Sequence, residues 1–417
     1  MSKQKIRICS ILLFSIFFFK LTYLGFSPTI SGWFINGCFL LLTALLIKDI
    51  KYLFSSEYRW INIFVVAYCA ISILSVEMNV DYVNSLSVVD WEGYYISGVQ
   101  SSKGVLYSSL GLVMTALFME RVSVFGRVEV MLRTLLCCMG ALLVFTDIDA
   151  MQHVVINDSI DGYMVGNKFT VCYLNLYFCS LYYMLHPNLR KKEMVLLSLF
   201  LLILVMVSIH TRCSTTLLGA AVFVSMTFLP KKKFRTAASK PRYVFLTLFV
   251  CDILFFFFTP WFLQFEVVQD FIVNVLHEDL TLTGRLDIYM NIQDAFNESP
   301  WIGYGVGNSG IMSMMYAGVF DAQNGLVDMF LQVGFLGCGC FLAILGLLLK
   351  QVGDSYENVY PIIVLIYAIL AISMVEIPFK HSFIFMTFLL LSKNRPMLIA
   401  SNNIKIICKI EYGNKSA

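Results

Sequence analysis

An all-α, polytopic integral membrane fold follows from three observations on this chain. Only 14% of its 417 residues are charged while 59% are hydrophobic, and its mean hydropathy of +0.77 lies outside the soluble class. Apolar runs of roughly 17–25 residues recur along it, the length an α-helix needs to cross a bilayer's hydrocarbon. The runs are continuous rather than alternating. Of the two structures a bilayer permits, a helix bundle therefore wins over a closed barrel. One transmembrane helical domain covering residues 1–417 is expected.

Candidate spans fall at about 6–26, 29–47, 60–76, 105–119, 131–146, 168–186, 194–209, 215–229, 243–262, 324–349, 361–377 and 382–392, about twelve in all. The first follows Lys3, Lys5 and Arg7, as a signal peptide would, but Lys20 interrupts it and no small-residue cleavage site follows. It reads as a retained span. Alternate connections carry Lys48, Lys51 and Arg59, then Arg121, Arg127 and Arg133, then Arg190 to Lys192, then Lys231 to Arg235, then Lys350 and the basic tail. The opposite side holds only Lys103, Lys168, Arg212, Arg285 and Lys380. The positive-inside rule then puts both termini in the cytoplasm and the polar loops 77–104, 147–167 and 263–323 outside.

Two features are read as having no catalytic role. The basic segment 230–242 lies between spans, where it sets topology and touches anionic lipid headgroups; nucleic acid is not an expected partner. The twelve cysteines sit in or beside apolar runs, without a metal-ligand spacing or a disulfide framework, and read as small core hydrophobes. There is no fixed-period repeat, and no matched pair of broken spans of the kind that marks inverted-repeat transporters.

Chemistry concentrates in one polar island, His277 to Gly337. Arg285 lies there among Glu278, Asp279 and Asp287, and Arg212 sits in a very short external turn, His210-Thr211-Arg212-Cys213. Two guanidinium groups at one membrane face suit bidentate binding of phosphate or pyrophosphate, or each pairs with a neighbouring acid or snorkels. After Thr283, residues 285–297 carry an apolar stripe of Ile288, Tyr289, Ile292, Ala295 and Phe296. That stripe predicts a short amphipathic helix lying along the outer face of the bilayer. Gly303, Gly305, Gly307 and Gly310 then permit close backbone approach, although no strand precedes them and they form no dinucleotide fingerprint. Inside spans, Asp252 and Glu376 are either functional or hydrogen-bonded to a neighbouring helix, and Asp328 lies just within the span after Gln323.

The set Thr281-Leu282-Thr283-Gly284-Arg285, a helix, Pro300-Trp301-Ile302-Gly303-Tyr304-Gly305-Val306-Gly307, Gln323-Asn324 and Gly334-x-x-Gly337 resembles the O-antigen ligase/polymerase superfamily of bacterial envelopes. Arg212-Cys213-Ser214-Thr215-Thr216-Leu217-Leu218-Gly219 resembles that family's upstream basic motif, so the likeness covers about 210–340. It implies a multi-pass glycosyltransferase of the inner membrane, inverting, metal-independent and without cofactor, with its site facing the periplasm in the loop 263–323. It also implies undecaprenyl-pyrophosphate-linked glycans and membrane lipids as partners, with a chain-length regulator protein a further expected one. Arg212 and Arg285 match the family arginines that grip the pyrophosphate, where charge develops as it leaves.

The ligase branch carries a His where this chain has Gln323. An amide cannot act as a general base, so either another group serves, with Asp321 and the cluster His277-Glu278-Asp279 as candidates, or deprotonation is late and needs little help. In this reading Gln323 and Asn324 orient sugars, while Gly303, Tyr304, Gly305 and Gly307 shape the pocket. The resemblance favours a polymerase joining lipid-linked repeat units, with a ligase acting on lipid A-core as the alternative. A lipid-linked oligosaccharide flippase is the alternative of another class, but it should draw cations from several spans, and here they gather near one loop.

Overall fold

The computed structural model describes residues 1–89, 95–97, 102–152, 161–228, 232–254, 256, 258, 261, 264–267, 269–270, 288–289, 291–319, 321–352 and 356–392. Arg285, His277 and the Thr281–Arg285 motif lie outside the described residues.

Helices stand at each of the twelve apolar stretches. They are α1 (Lys3–Phe17), α2 (Pro28–Leu46), α3 (Arg59–Ser85), α4 (Ser102–Val124), α5 (Val128–Gln152), α6 (Lys168–Leu185), α7 (Lys191–His210) and α8 (Ser214–Phe228). The short basic α9 (Lys232–Ala238) precedes α10 (Pro241–Leu248), which runs into a π-helical turn at Phe249–Leu254. Beyond the loop come α11 (Gln293–Glu298), α12 (Ser309–Ala317), α13 (Gly325–Val352), α14 (Tyr356–Ser373) and α15 (His381–Ser392). Among the described residues, seven helices are long and apolar enough to cross a membrane, and Ser214–Phe228 and His381–Leu391 are shorter apolar ones. Among the described residues strand is confined to two small antiparallel pairs, β1 (Ser87–Val89) with β2 (Tyr95–Ser97) and β3 (Asp161–Tyr163) with β4 (Gly166–Asn167).

Lipid tails are as apolar as leucine, so close approach and hydrogen bonds hold such a bundle together rather than burial alone. Gly219 on α8 shows this. A Cβ there would stand 2.5 Å from the Ile372 side chain of α14, so the missing methyl lets the two helices meet. Near the start of α3, Asn62 donates to the Leu53 carbonyl at 2.7 Å. Asp49 gathers Lys5 of α1 at 3.3 Å and Arg121 of α4 at 3.1 Å. Such a pair helps only because both partners are present and solvent still reaches it.

The last three turns of α3 meet a different structure. Helix α13 breaks at Gly334, whose φ of 61° and ψ of −167° belong to a region essentially only glycine occupies. The break opens two carbonyls, Leu331 and Gln332, and two amides, Phe335 and Leu336. The loop 300–305 takes all four: Tyr304 and Gly305 N–H donate to Leu331 and Gln332 at 2.7 and 2.9 Å, and Phe335 and Leu336 N–H donate to Pro300 and Trp301 at 2.8 and 3.1 Å. Ser75 of α3 adds a bond to the Gln332 carbonyl, and Asn79 one to the Gly303 carbonyl. These four bonds pair the backbone groups that the break frees, as a low-dielectric surround requires. A Cβ on Gly303 would lie 2.6 Å from the Leu331 carbonyl oxygen, so this docking needs glycine there as well.

Two sequence expectations change. The stripe Ile288, Tyr289, Ile292 and Ala295 is fully buried, packed with Phe256, Tyr304, Met312 and Leu331, so it faces protein rather than lipid. Glu376 stands beyond the end of α14, in the connection 374–380, and not inside a span. Asp252 is buried in the π turn and accepts from the Ser373 hydroxyl at 3.0 Å, which ties that turn to the end of α14.

Candidate functional site

The starts of α6, α13 and α15 and the loop 304–309 surround a cavity of about 330 Å³. Its polar lining comes from Asn167, Ser309, Asp321, Asp328, Gln332, Glu376, Lys380 and His381, and aromatic rings come from Tyr68, Phe169, Tyr173 and Phe379. Three carboxylates thus face one ammonium and one imidazole. Two of the acids lie where helices begin: Asp321 just before α13 and Asp328 in its first turn.

Gln332, one turn after Asp328, fixes the floor of the cavity. Its Nε2 donates to Asp328 Oδ2 at 2.6 Å and its Oε1 accepts from the Gly307 N–H at 3.0 Å. One amide thereby joins the glycine loop to the buried acid. Asp321 Oδ1 accepts the Gln323 N–H at 2.8 Å, which tightens the turn entering α13.

Arg212 lies at the same end of the bundle. Its carbonyl accepts from Lys168 Nζ at 3.4 Å, and Lys168 follows Asn167 of the cavity wall. The arginine ends α7 with φ of 51°, a left-handed position usually given to glycine, and its side chain is exposed. The Cys213 N–H closes the turn onto the Ser208 carbonyl at 2.8 Å. Among the described residues the other non-glycine with positive φ is Gln323, at 48°. Backbone strain of this kind costs about 1–3 kcal/mol and concentrates at sites of function.

Of the residues singled out in the sequence, Asp321 and Gly307 line this cavity, with Gln323 in the adjoining turn, while Arg212 is linked to its wall through Lys168. Gln323 keeps its side-chain oxygen buried without a hydrogen-bond partner among the described residues, while its carbonyl accepts from Tyr289 Oη at 3.1 Å.

The structure gives four others a different task. Asn324 is fully buried and caps α13, its Oδ1 accepting the Leu326 and Val327 N–H groups at 3.1 Å each. Its Nδ2 reaches toward the Asp252 and Met374 carbonyls, so its polar atoms hold the helix start. Tyr304 points into the core and donates to the Ala295 carbonyl at 2.8 Å, and burial pushes its phenol up to about 12. Gly303 and Gly305 seat the loop on α13 and α3, Gly305 lying against Val76.

Asn324→Ala removes a helix cap and is expected to cost about 1 kcal/mol. A thermal unfolding comparison in detergent checks this, with binding of ligand at the cavity unaltered.

Sequence reading missed the wall residues Tyr173, Lys380 and His381 as members of one site. Tyr173 sits in an apolar helical pattern that gives no hint of a cavity. The Asp328/Gln332 pair did carry a signal, since a four-residue spacing places two polar side chains on one helix face.

Residues 197–342 match the family model Wzy_C, described as O-antigen ligase, consistent with the O-antigen ligase/polymerase superfamily. The match takes in the Arg212 turn, the glycine loop and the broken helix. No curated protein matches the chain.

Proposed function

We propose, from the likeness of residues 197–342 to the O-antigen ligase family, that this chain is an O-antigen polymerase of the bacterial inner membrane. It joins repeat units carried on undecaprenyl pyrophosphate at the periplasmic face. The growing glycan passes from its own carrier to the nonreducing end of a new lipid-linked unit. Arg212 and Arg285 hold the donor pyrophosphate, and their charge stabilises it as it leaves. The positive-inside bias supports an outward-facing site, because Lys5 and Arg121 gather at the end of the bundle away from the loop.

The observation that carries the reading is the exposed Arg212 at a left-handed backbone position inside the matched segment, its carbonyl held by Lys168, the residue after Asn167 of the acid- and aromatic-lined cavity. Gln323, in place of the ligase branch's His, favours polymerase over ligase. The ligase remains the second reading because the matching family model carries that description. A chain-length regulator protein is the expected partner.

A chromosomal deletion separates the two. With a polymerase removed, lipopolysaccharide carries a single repeat unit; with a ligase or a flippase removed, it shows bare core. A full-length ladder surviving the deletion would sink the proposal.

A further inference from the structure

We propose that the cavity between α6, α13 and the 374–380 connection is the acceptor-sugar subsite, and that the Glu376 carboxylate receives the proton of the attacking hydroxyl. This rests on the polymerase reading above and assigns the base that Gln323 cannot be.

Electrostatics select the ligand. Asp321, Asp328 and Glu376 against Lys380 make the cavity unsuited to a pyrophosphate, which is left to Arg212. Neutral sugar hydroxyls suit it: they donate to carboxylates, and the apolar faces of the rings pack on aromatic side chains.

An independent observation points to a ligand. Tyr173 lines the cavity at 5% exposure, and its hydroxyl has no hydrogen-bond partner among the described residues. A buried hydroxyl left unpaired costs on the order of 1–3 kcal/mol, which a bound sugar would recover. Glu376 is close enough to Tyr173 for the two groups to interact electrostatically.

Asp328 is engaged by Gln332 Nε2 at 2.6 Å, and Asp321 holds the Gln323 amide. Glu376 lies outside helical backbone, on a connection that Pro378 keeps from continuing either helix.

The step balances. The acceptor oxygen bonds to the donor's anomeric carbon as the bond from that carbon to the pyrophosphate oxygen breaks. Undecaprenyl pyrophosphate leaves with the electron pair, and the hydroxyl proton passes to Glu376 and then to water.

The test uses full-length protein in liposomes with lipid-linked repeat units extracted from a host lacking this chain. Glu376→Gln should slow turnover about 10²–10⁴-fold, the span of general base catalysis, with acceptor KM little changed and the acidic limb of the pH profile gone. Tyr68, Asp321, Asp328, Lys380, His381 and Tyr173 face the same cavity and remain in that variant. Tyr173→Phe should raise acceptor KM about tenfold, the loss of one hydrogen bond, with kcat nearly kept. Should the Gln variant not fold, Glu376→Asp decides, being folded but slowed with its acidic limb retained.

Active wild-type protein with Glu376→Gln within threefold of it and an unchanged pH profile overturns this proposal alone. Unchanged acceptor KM in Tyr173→Phe overturns the subsite. Wild-type protein that joins no units overturns the polymerase reading, and this proposal with it.

Discussion

Gly334→Ala is expected to leave little folded protein in the membrane. A Cβ at this position would stand 2.4 Å from the Trp301 carbonyl carbon and the Ile302 nitrogen, both backbone atoms that cannot rotate away. The backbone at φ 61° and ψ −167° is itself closed to alanine. Overpacking and strain together cost at least about 3 kcal/mol, and retreat of the loop would leave the four exchanged backbone groups unpaired. Gly339, in the same helix, has nothing within 4 Å of its virtual Cβ, so Gly339→Ala serves as the matched control. Membrane yield and size-exclusion profile in detergent measure both variants. Equal yields would mean that the helix break is not required for the fold.

Arg212 is expected to show the opposite dissociation of stability from activity. Arg212→Gly places the residue best suited to φ 51° at the end of α7 and should raise stability by about 1 kcal/mol. The same change removes the guanidinium and, under the proposed function, lowers polymerisation about 10²–10³-fold. Arg212→Lys keeps a charge but loses the bidentate fork and should recover only part of the activity. Thermal unfolding and ladder length, measured on the same preparations, check the two directions separately. A Gly variant that polymerises normally would remove Arg212 from the site.

These cases show what the chain's letters disclose. Hydropathy locates helices because the bilayer leaves the backbone few alternatives, and Arg212 stands out because the positive-inside reading expects few cations in its connection. The break at Gly334 stays hidden: apolar periodicity continues across it, and its partners at 300–305 are a non-local pairing. Glu376 is misplaced by hydropathy because its apolar neighbours average it into a span, whereas α14 stops at Ser373 ahead of Pro378. The stripe at Ile288 to Ala295 is legible as a face, but periodicity cannot say whether lipid or protein covers it. Tyr304 and Asn324 stand in a motif that reads as a pocket, and the letters do not disclose that their hydrogen bonds hold the loop and the helix start.

The exchange between α13 and the loop also sets a schedule for biogenesis. Residues 300–305 leave the ribosome before Gly334, so the docking strip exists when the interrupted span enters the lipid. An inserting segment with open peptide groups would otherwise be held at the translocon or handed to quality-control proteases. A lesion in this strip should therefore appear first as shortened lifetime of the newly made chain.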